Sequence, residues 1–284
     1  MFQSLAALFA SLLALIGLGP SAERAAQPVG VTAPAYPLRV VSLNMCADQY
    51  LIELADRRQI AALSEYARDP KMSFHARAAA AYPVSAGSAE ELLALQPDLI
   101  IGSDYQRAGV EALFRNHPVA FVEFGLANSQ AEMIAQARSV AAALGQQARG
   151  EDLVRRLGVV GAVQAGTARP VVAYYQRRGF LTGTGTLVDD ILTRAGADNL
   201  ARRLNKPMLA QLSLEEMVAA RPDFLLVDAE TAQVADQGTE MLHHPALRVI
   251  PRLSLSEALT VCGGPSYPLA VENLRRQIAA AAAS

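Results

Sequence analysis

Apolar and polar residues divide this chain into two kinds of segment. Short runs rich in β-branched and other apolar residues fall at Arg39–Leu43, Ile60–Leu63, Leu99–Ile101, Val119–Val122, Val171–Tyr175, Phe224–Val227 and Arg248–Ile250. Each predicts a strand. Helical spacing separates them, first over Cys46–Ala55. Strand and helix in succession predict an α/β fold with parallel sheets. One longer stretch lacks strand signals. It opens with Ser129 and Glu132, spaced as a capping box. Its helical spacing runs to about Leu144 and resumes from about Ala148 to Val163. A helix of about 18 residues spans roughly 27 Å, enough to bridge two lobes. Arg169-Pro170 closes the stretch and a fresh strand follows.

The pattern repeats itself on a larger scale. SAEELLALQPDLII (Ser88–Ile101) returns as SLEEMVAARPDFLL (Ser213–Leu226), 125 residues later. Both copies predict an N-capping serine, an apolar helix, a Pro-Asp break and a strand. This predicts two similar α/β lobes joined by helix; a single large sheet carrying the same unit twice is the alternative. Each copy holds two glutamates. Glu91 and Glu216 stand at the third helical position, where a capping box uses the carboxylate. Glu90 and Glu215 stand at the second, mildly favoured by the helix dipole but required by no backbone bond. Helices of parallel sheets start at the edge where strands end, and ligands of open α/β folds bind there. Each spare carboxylate is therefore expected near the rim of its lobe's binding face.

Composition narrows the reading. With 52% hydrophobic and 18% charged residues over 284 positions, the chain can bury a sizeable core. A net charge of −2 without basic runs lacks the footprint of a nucleic-acid binder. The apolar run Leu5–Leu18 is short for a membrane span and is followed by small residues and Pro20, so residues 1–26 are expected to be an export signal cleaved between about Gly19 and Ala26. A membrane anchor is the other reading of that run. Residues 27–38 read as a tether.

These pieces together resemble a periplasmic substrate-binding protein of the ferric-siderophore/cobalamin ABC-importer family. The resemblance rests on the leader, RVVSLNMCADQYLIELA, both copies of the repeat, the helical connector and GTGTLVDDILTRAGADNLA. It implies two Rossmann-like lobes, here residues 39–128 and 167–284, with a connecting helix region at 129–166. It also implies a ligand cleft between the lobes, a soluble periplasmic location, a monomer, no resident cofactor and no catalysis. In that family the glutamate of each S-x-E pair docks onto arginines of the membrane permease, which gives Glu90 and Glu215 as permease-docking residues.

Cleft candidates lie just past strand ends: Asn44, Met45 and Cys46; Tyr66 and Arg68; Tyr105 and Arg107; Tyr174, Tyr175, Arg177 and Arg178; and Tyr267 in the GGPSYP loop. Tyrosine with arginine suits a large, flat or anionic metal chelate, rings meeting its apolar surface and guanidinium groups its oxygens. Heme carriers of the family often place Tyr-x-Arg just before the S-x-E serine, where this chain reads PVSAGS, and cobalamin carriers line their cleft with tryptophan, of which it has none. A ferric siderophore remains by elimination, with a cobalamin or heme carrier of the same fold as the alternative. Cys46 and Cys262, one per lobe, allow a disulfide across the cleft, a thiol activated at a helix start, or two small buried hydrophobes. An exported α/β enzyme using Cys46 is accordingly the alternative from another class. A dinucleotide site is excluded because LNMCAD after the first strand holds no glycine. GFLTGTGT reads instead as a loop capped by Thr186. The four histidines form no clustered zinc site, and His243-His244 fits a helix end; relatives that carry zinc or manganese use dispersed histidines plus an acid, so a bare-metal carrier is a further alternative.

Overall fold

The computed structural model describes residues 36, 37, 39–117, 119–160, 169–231 and 236–282. Most of the expected leader and tether, and the end of the expected connector helix at 161–163, lie outside the described residues. In the N-terminal lobe, strands β1 (Val40–Ser42), β2 (Ile60–Ser64), β3 (Val84–Ser85), β4 (Leu99–Gly102) and β5 (Ala120–Glu123) make one parallel sheet, ordered β3-β2-β1-β4-β5. Its helices are α1 (Met45–Leu54), α2 (Ala76–Ala79), α3 (Ala89–Leu95) and α4 (Asp104–Leu113). Asn44 starts α1 by accepting from the Cys46 and Ala47 amides at 2.9 and 3.1 Å. All four residues of β4 are buried, as befits a central parallel strand covered on both faces.

The connector is an antiparallel helix pair, α5 (Gln130–Leu144) and α6 (Gln147–Gly158). Gly145 turns the chain with φ +71°, a conformation that glycine adopts without strain. Gly150 lets the two helices approach closely; a Cβ there would lie 2.5 Å from the Ala141 Cβ. Arg138 and Glu151 pair across them at 2.8 Å. The described part of α6 has 12 residues, about 18 Å of helix, shorter than the pattern suggests. It is tied to α1 through Arg156–Glu53 at 2.6 Å.

In the C-terminal lobe, β6 (Val171–Tyr174), β8 (Asp198–Asn199), β10 (Phe224–Asp228) and β11 (Arg252–Leu255) form a second parallel sheet, ordered β11-β10-β6-β8. A ribbon of β7 (Phe180–Thr182) and β9 (Leu209–Gln211) is antiparallel. The helices are α7 (Leu187–Ala195), α8 (Leu200–Arg203), α9 (Leu214–Ala220), α10 (Gln237–Glu240) and α11 (Tyr267–Ala282). Thr186 caps α7 as expected. The strand expected at Arg248–Ile250 is corrected to β11: Pro251 interrupts the run, and Leu253 and Leu255 carry the inward face while Arg252 and Ser254 point out. Gln277 of α11 closes the β11 edge with bonds to Ser254 N–H and C=O at 2.9 and 2.8 Å. One apolar core runs through both lobes and the connector, including Leu51, Met133, Leu153, Leu192 and Leu274. Separate clusters cover the other face of each sheet.

Two sheets, not one, resolve the question raised by the repeat. Strands β2-β1-β4-β5 and β8-β6-β10-β11 occupy matching places, and the duplicated segment performs the same tasks in both. Ser88 and Ser213 cap α3 and α9. Leu92 and Met217 are buried. Gln96 and Arg221 end the helices in the left-handed region, φ 44° and 46°. The Pro-Asp aspartates fasten the next strand to the sheet: Asp98 accepts the Arg39 amide at 3.0 Å and Asp223 the Val171 amide at 2.6 Å. Their own amides return the bond to Arg39 and Val171 carbonyls, both at 2.9 Å.

Candidate functional site

The carboxyl ends of the two sheets face one another, held by links from opposite lobes. Cys46, just past β1, is disulfide-bonded to Cys262, past β11, with Cα atoms 5.3 Å apart, within the range that a bridge requires. Of the readings open for the two cysteines the disulfide is the one present, and Cys46 has no thiol to offer an enzyme. Beside it, the Tyr50 hydroxyl donates to Gly263 O at 3.1 Å. Gly263 lies so close to Ala127 that an added Cβ would sit 2.1 Å from the Ala127 carbonyl oxygen. Further along, Lys71 past β2 pairs with Glu230 past β10 at 3.3 Å.

The N-terminal wall of this meeting place presents large exposed side chains past three strand ends: Tyr66 at 55%, Tyr105 at 82% and Leu126 at 77% exposure. The C-terminal wall is acidic. A cavity of about 170 Å³ opens among Tyr174, Tyr175, Gln176, Arg177, Asp228, Thr231 and Glu257. Burial, then the charges of Asp228, Glu230 and Asp69, raise the Glu257 carboxyl above its ordinary range. Burial pushes the Tyr174 phenol up to about 12.

The sequence candidates divide between wall and scaffold. Tyr66 and Tyr105 are exposed on the surface, and Arg178 is exposed with φ 58°. Arg68 donates to the Tyr82 carbonyl. Arg107 lies over the Phe121 ring at 4.7 Å and pairs with Glu123 at 3.6 Å. Arg177 pairs with Asp236. Asn44 caps α1 and also donates to Ser103 Oγ at 2.9 Å. Two of the tyrosines are buried with internal hydrogen-bond partners, Tyr175 lying beneath the cavity that it helps to line. Tyr175 is fully buried, its hydroxyl donating to Leu212 O at 2.8 Å, and burial lifts it to about 12. Tyr267 is fully buried at the start of α11 with its hydroxyl on Asp190. Lys71, Asp228, Glu230 and Glu257 escape the sequence reading, although Asp228 closes β10 and Glu257 sits just past β11, like the residues it singled out.

Glu90 and Glu215 are exposed and, among the described residues, make no ion pair or side-chain hydrogen bond. Their neighbours do the capping. Glu216 accepts from Ser213 N at 2.8 Å. Glu91 reaches further back, to Gly87 N at 3.1 Å and Ser85 Oγ at 2.7 Å. Both helices start toward the carboxyl edge of their sheet. The residue before α3 follows closely on β3, and Leu212, before α9, donates its amide to Gly179 just past β6. Among the described residues no cluster of three or more His, Cys, Asp or Glu is arranged to hold a metal ion, and no helix is long and apolar enough to cross a membrane.

The family described as periplasmic binding protein matches residues 40–251, three quarters of the chain, with the whole first sheet and three of the four strands of the second. The chain belongs to that family. Its members bind ligands and carry no resident cofactor. A curated cobalamin-binding protein of Halobacterium salinarum is 26% identical over 216 residues, covering 73% of this chain. This chain spans only 58% of that relative's length. Among solved structures, the periplasmic heme-binding protein HutB of Vibrio cholerae has a TM-score of 0.70 at 18% identity, covering 85% of this chain and 98% of its own. A possible iron-binding periplasmic solute-binding protein from Staphylococcus epidermidis has a TM-score of 0.66 at 17% identity, covering 85% and 98%. At such identities these likenesses concern the fold.

Proposed function

We propose that this periplasmic binding protein captures a metal chelate in the cleft between its lobes and delivers it to an ABC importer, without catalysing a reaction on it. The observation that carries this reading is the facing of the two carboxyl edges, since ligands of open α/β sheets bind at those edges. The same proposal takes the chain to be exported by its leader and to act in the periplasm. Glu90 and Glu215 are its permease-docking residues. Each has an unclaimed charge and stands on an equivalent helix of its lobe. Exposed ion pairs contribute about 0–1 kcal/mol each, so two of them orient the complex and speed encounter while leaving release fast.

The walls select the cargo by charge. Asp228 and Glu257 on one side repel an anionic chelate, while Tyr66, Tyr105 and Leu126 opposite offer apolar surface to a macrocycle or ligand backbone. A neutral or cationic chelate therefore fits: a ferric siderophore of the hydroxamate kind, or a corrinoid of the kind named for the halobacterial relative. Calorimetry on the mature chain with ferrioxamine, cyanocobalamin, a ferric tricatecholate and heme tests this. Binding of either of the first two, with the last two at least tenfold weaker, is expected. Preference for the tricatecholate or heme refutes the charge argument, and absence of binding to all four refutes the chelate reading.

A further inference from the structure

The cavity in the C-terminal wall, about 170 Å³, is too small for a metal chelate. Sites that enclose a whole small molecule measure about 300–1,000 Å³. Taking a water's share of about 30 Å³ for each non-hydrogen atom, a side arm of about five atoms fills it. The lining indicates what such an arm should carry. Asp228 and Glu257 supply two carboxylates, and the lining's one cation, Arg177, is already paired with Asp236. Tyr174 and Tyr175, whose hydroxyls are engaged by Thr260 and Leu212, complete it with aromatic carbon suited to an alkyl stem. Glu230 and, from the N-terminal lobe, Asp69 add negative charge that raises the Glu257 carboxyl further. The cavity therefore lies where the lobes meet.

These acids are not an isolated patch, for one ammonium already rests on them. Lys71 Nζ, reaching over from the opposite lobe, lies 3.3 Å from Glu230 Oε2. Its charge is also near enough to act on Glu257, and with a sign opposite to that of the surrounding acids. The pair is exposed, so it contributes about 0–1 kcal/mol and exchanges readily. A bare metal ion is a poorer match, since among the described residues no three donors are set to hold one.

We propose that this cavity is a subsite for a protonated primary amine on a short alkyl arm of the chelate, and that Lys71 holds the amine's place until cargo arrives. The arm enters between Asp228 and Glu257, with its stem against the tyrosines. The metal centre and its ligand atoms stay outside, against Tyr66, Tyr105 and Leu126 of the other wall. The arriving ammonium competes with Lys71 for the same negative charge.

The inference rests on the chelate reading above, and its test separates the two. Calorimetry on the mature chain compares matched probes. Ferrioxamine B, which ends in a primary ammonium, is set against its N-acetyl derivative, and a cobalamin bearing an aminoalkyl arm against its acetylated form. Whichever core binds is expected to bind about tenfold more tightly with the free amine. Asp228→Asn with Glu257→Gln is expected to narrow that preference to below about threefold. Asp228→Asn keeps the oxygen that accepts the Glu230 amide at 3.0 Å, so the local fold is retained. Lys71→Gln removes the competing cation and is expected to widen the preference about threefold. Equal binding of amine and acetyl forms, a preference untouched by the acid substitutions, or a weaker preference in Lys71→Gln overturns the inference and leaves the chelate reading in place. Binding of none of these probes refutes the chelate reading, and the inference with it.

Discussion

Replacing Cys46 and Cys262 together by serine removes the one covalent link between the lobes found among the described residues. The bridge spans 216 positions, and chain-entropy arguments put the gain from closing a loop of that length at about 5 kcal/mol. Measured gains usually fall below that ceiling, about 2–4 kcal/mol. Here the shared apolar core already restrains both lobes without the bridge, so a cost of about 3 kcal/mol is expected. For a chain of this size that lowers the midpoint of thermal unfolding by roughly 6 °C. Calorimetric unfolding of the double variant, beside the parent with and without a thiol reductant, measures it. The reduced parent and the variant are expected to coincide. A midpoint shift under 2 °C in both would show that the lobes are held by packing alone, and the argument from the bridge would fail. A collapse into two separate transitions would refute the claim that the core is continuous.

Two further outcomes concern the fold. The Asp48 carboxyl is buried and raised from 3.8 to about 6, burial outweighing the bonds from Ser64 and Ser42. Its native form therefore keeps a proton that the unfolded chain has lost between about pH 4 and 6, and stability gains up to about 3 kcal/mol as pH falls through that window. Asp48→Asn should flatten that part of the profile in urea titrations at pH 4 and 7; an unchanged slope would show that the carboxyl is ionised in the native state. Asp98→Ala and Asp223→Ala should each cost about 1–3 kcal/mol by leaving a strand-opening amide without its acceptor. The asparagine variants should recover part of the loss, and clearly unequal losses at the two positions would argue against the structural equivalence of the repeats.

Six of the strands stand within about two residues of where the apolar runs put them. Those runs are continuous because parallel strands are covered on both faces. Strands β3, β7, β8 and β9 are two or three residues long, too short for any period to register. β11 is displaced because Val249 and Ile250 look more strand-like than the alternating RLSL that follows. The repeat was legible at its serine caps, but only Glu216 closes the expected box on its serine amide, while Glu91 turns back to Gly87 and Ser85. The cleft was less so. A tyrosine past a strand end looks the same whether it faces a ligand, as Tyr105 can, or an internal carbonyl, as Tyr175 does. Arginines were counted as ligand groups when most are spent on neighbouring backbone or acids. Asp228 and Glu257 follow the same strand-end rule, but Glu257 could be placed only once β11 was in its true position.

Joining Cys46 to Cys262 restricts how the molecule can breathe. With one point on each facing edge fixed at bonding distance, the gap there can neither widen nor slide. Any separation becomes a rotation about that point, and it grows with distance from it. In the function proposed above, the side where Lys71 and Glu230 meet through a single reversible contact is the mouth through which a bulky cargo would enter and leave.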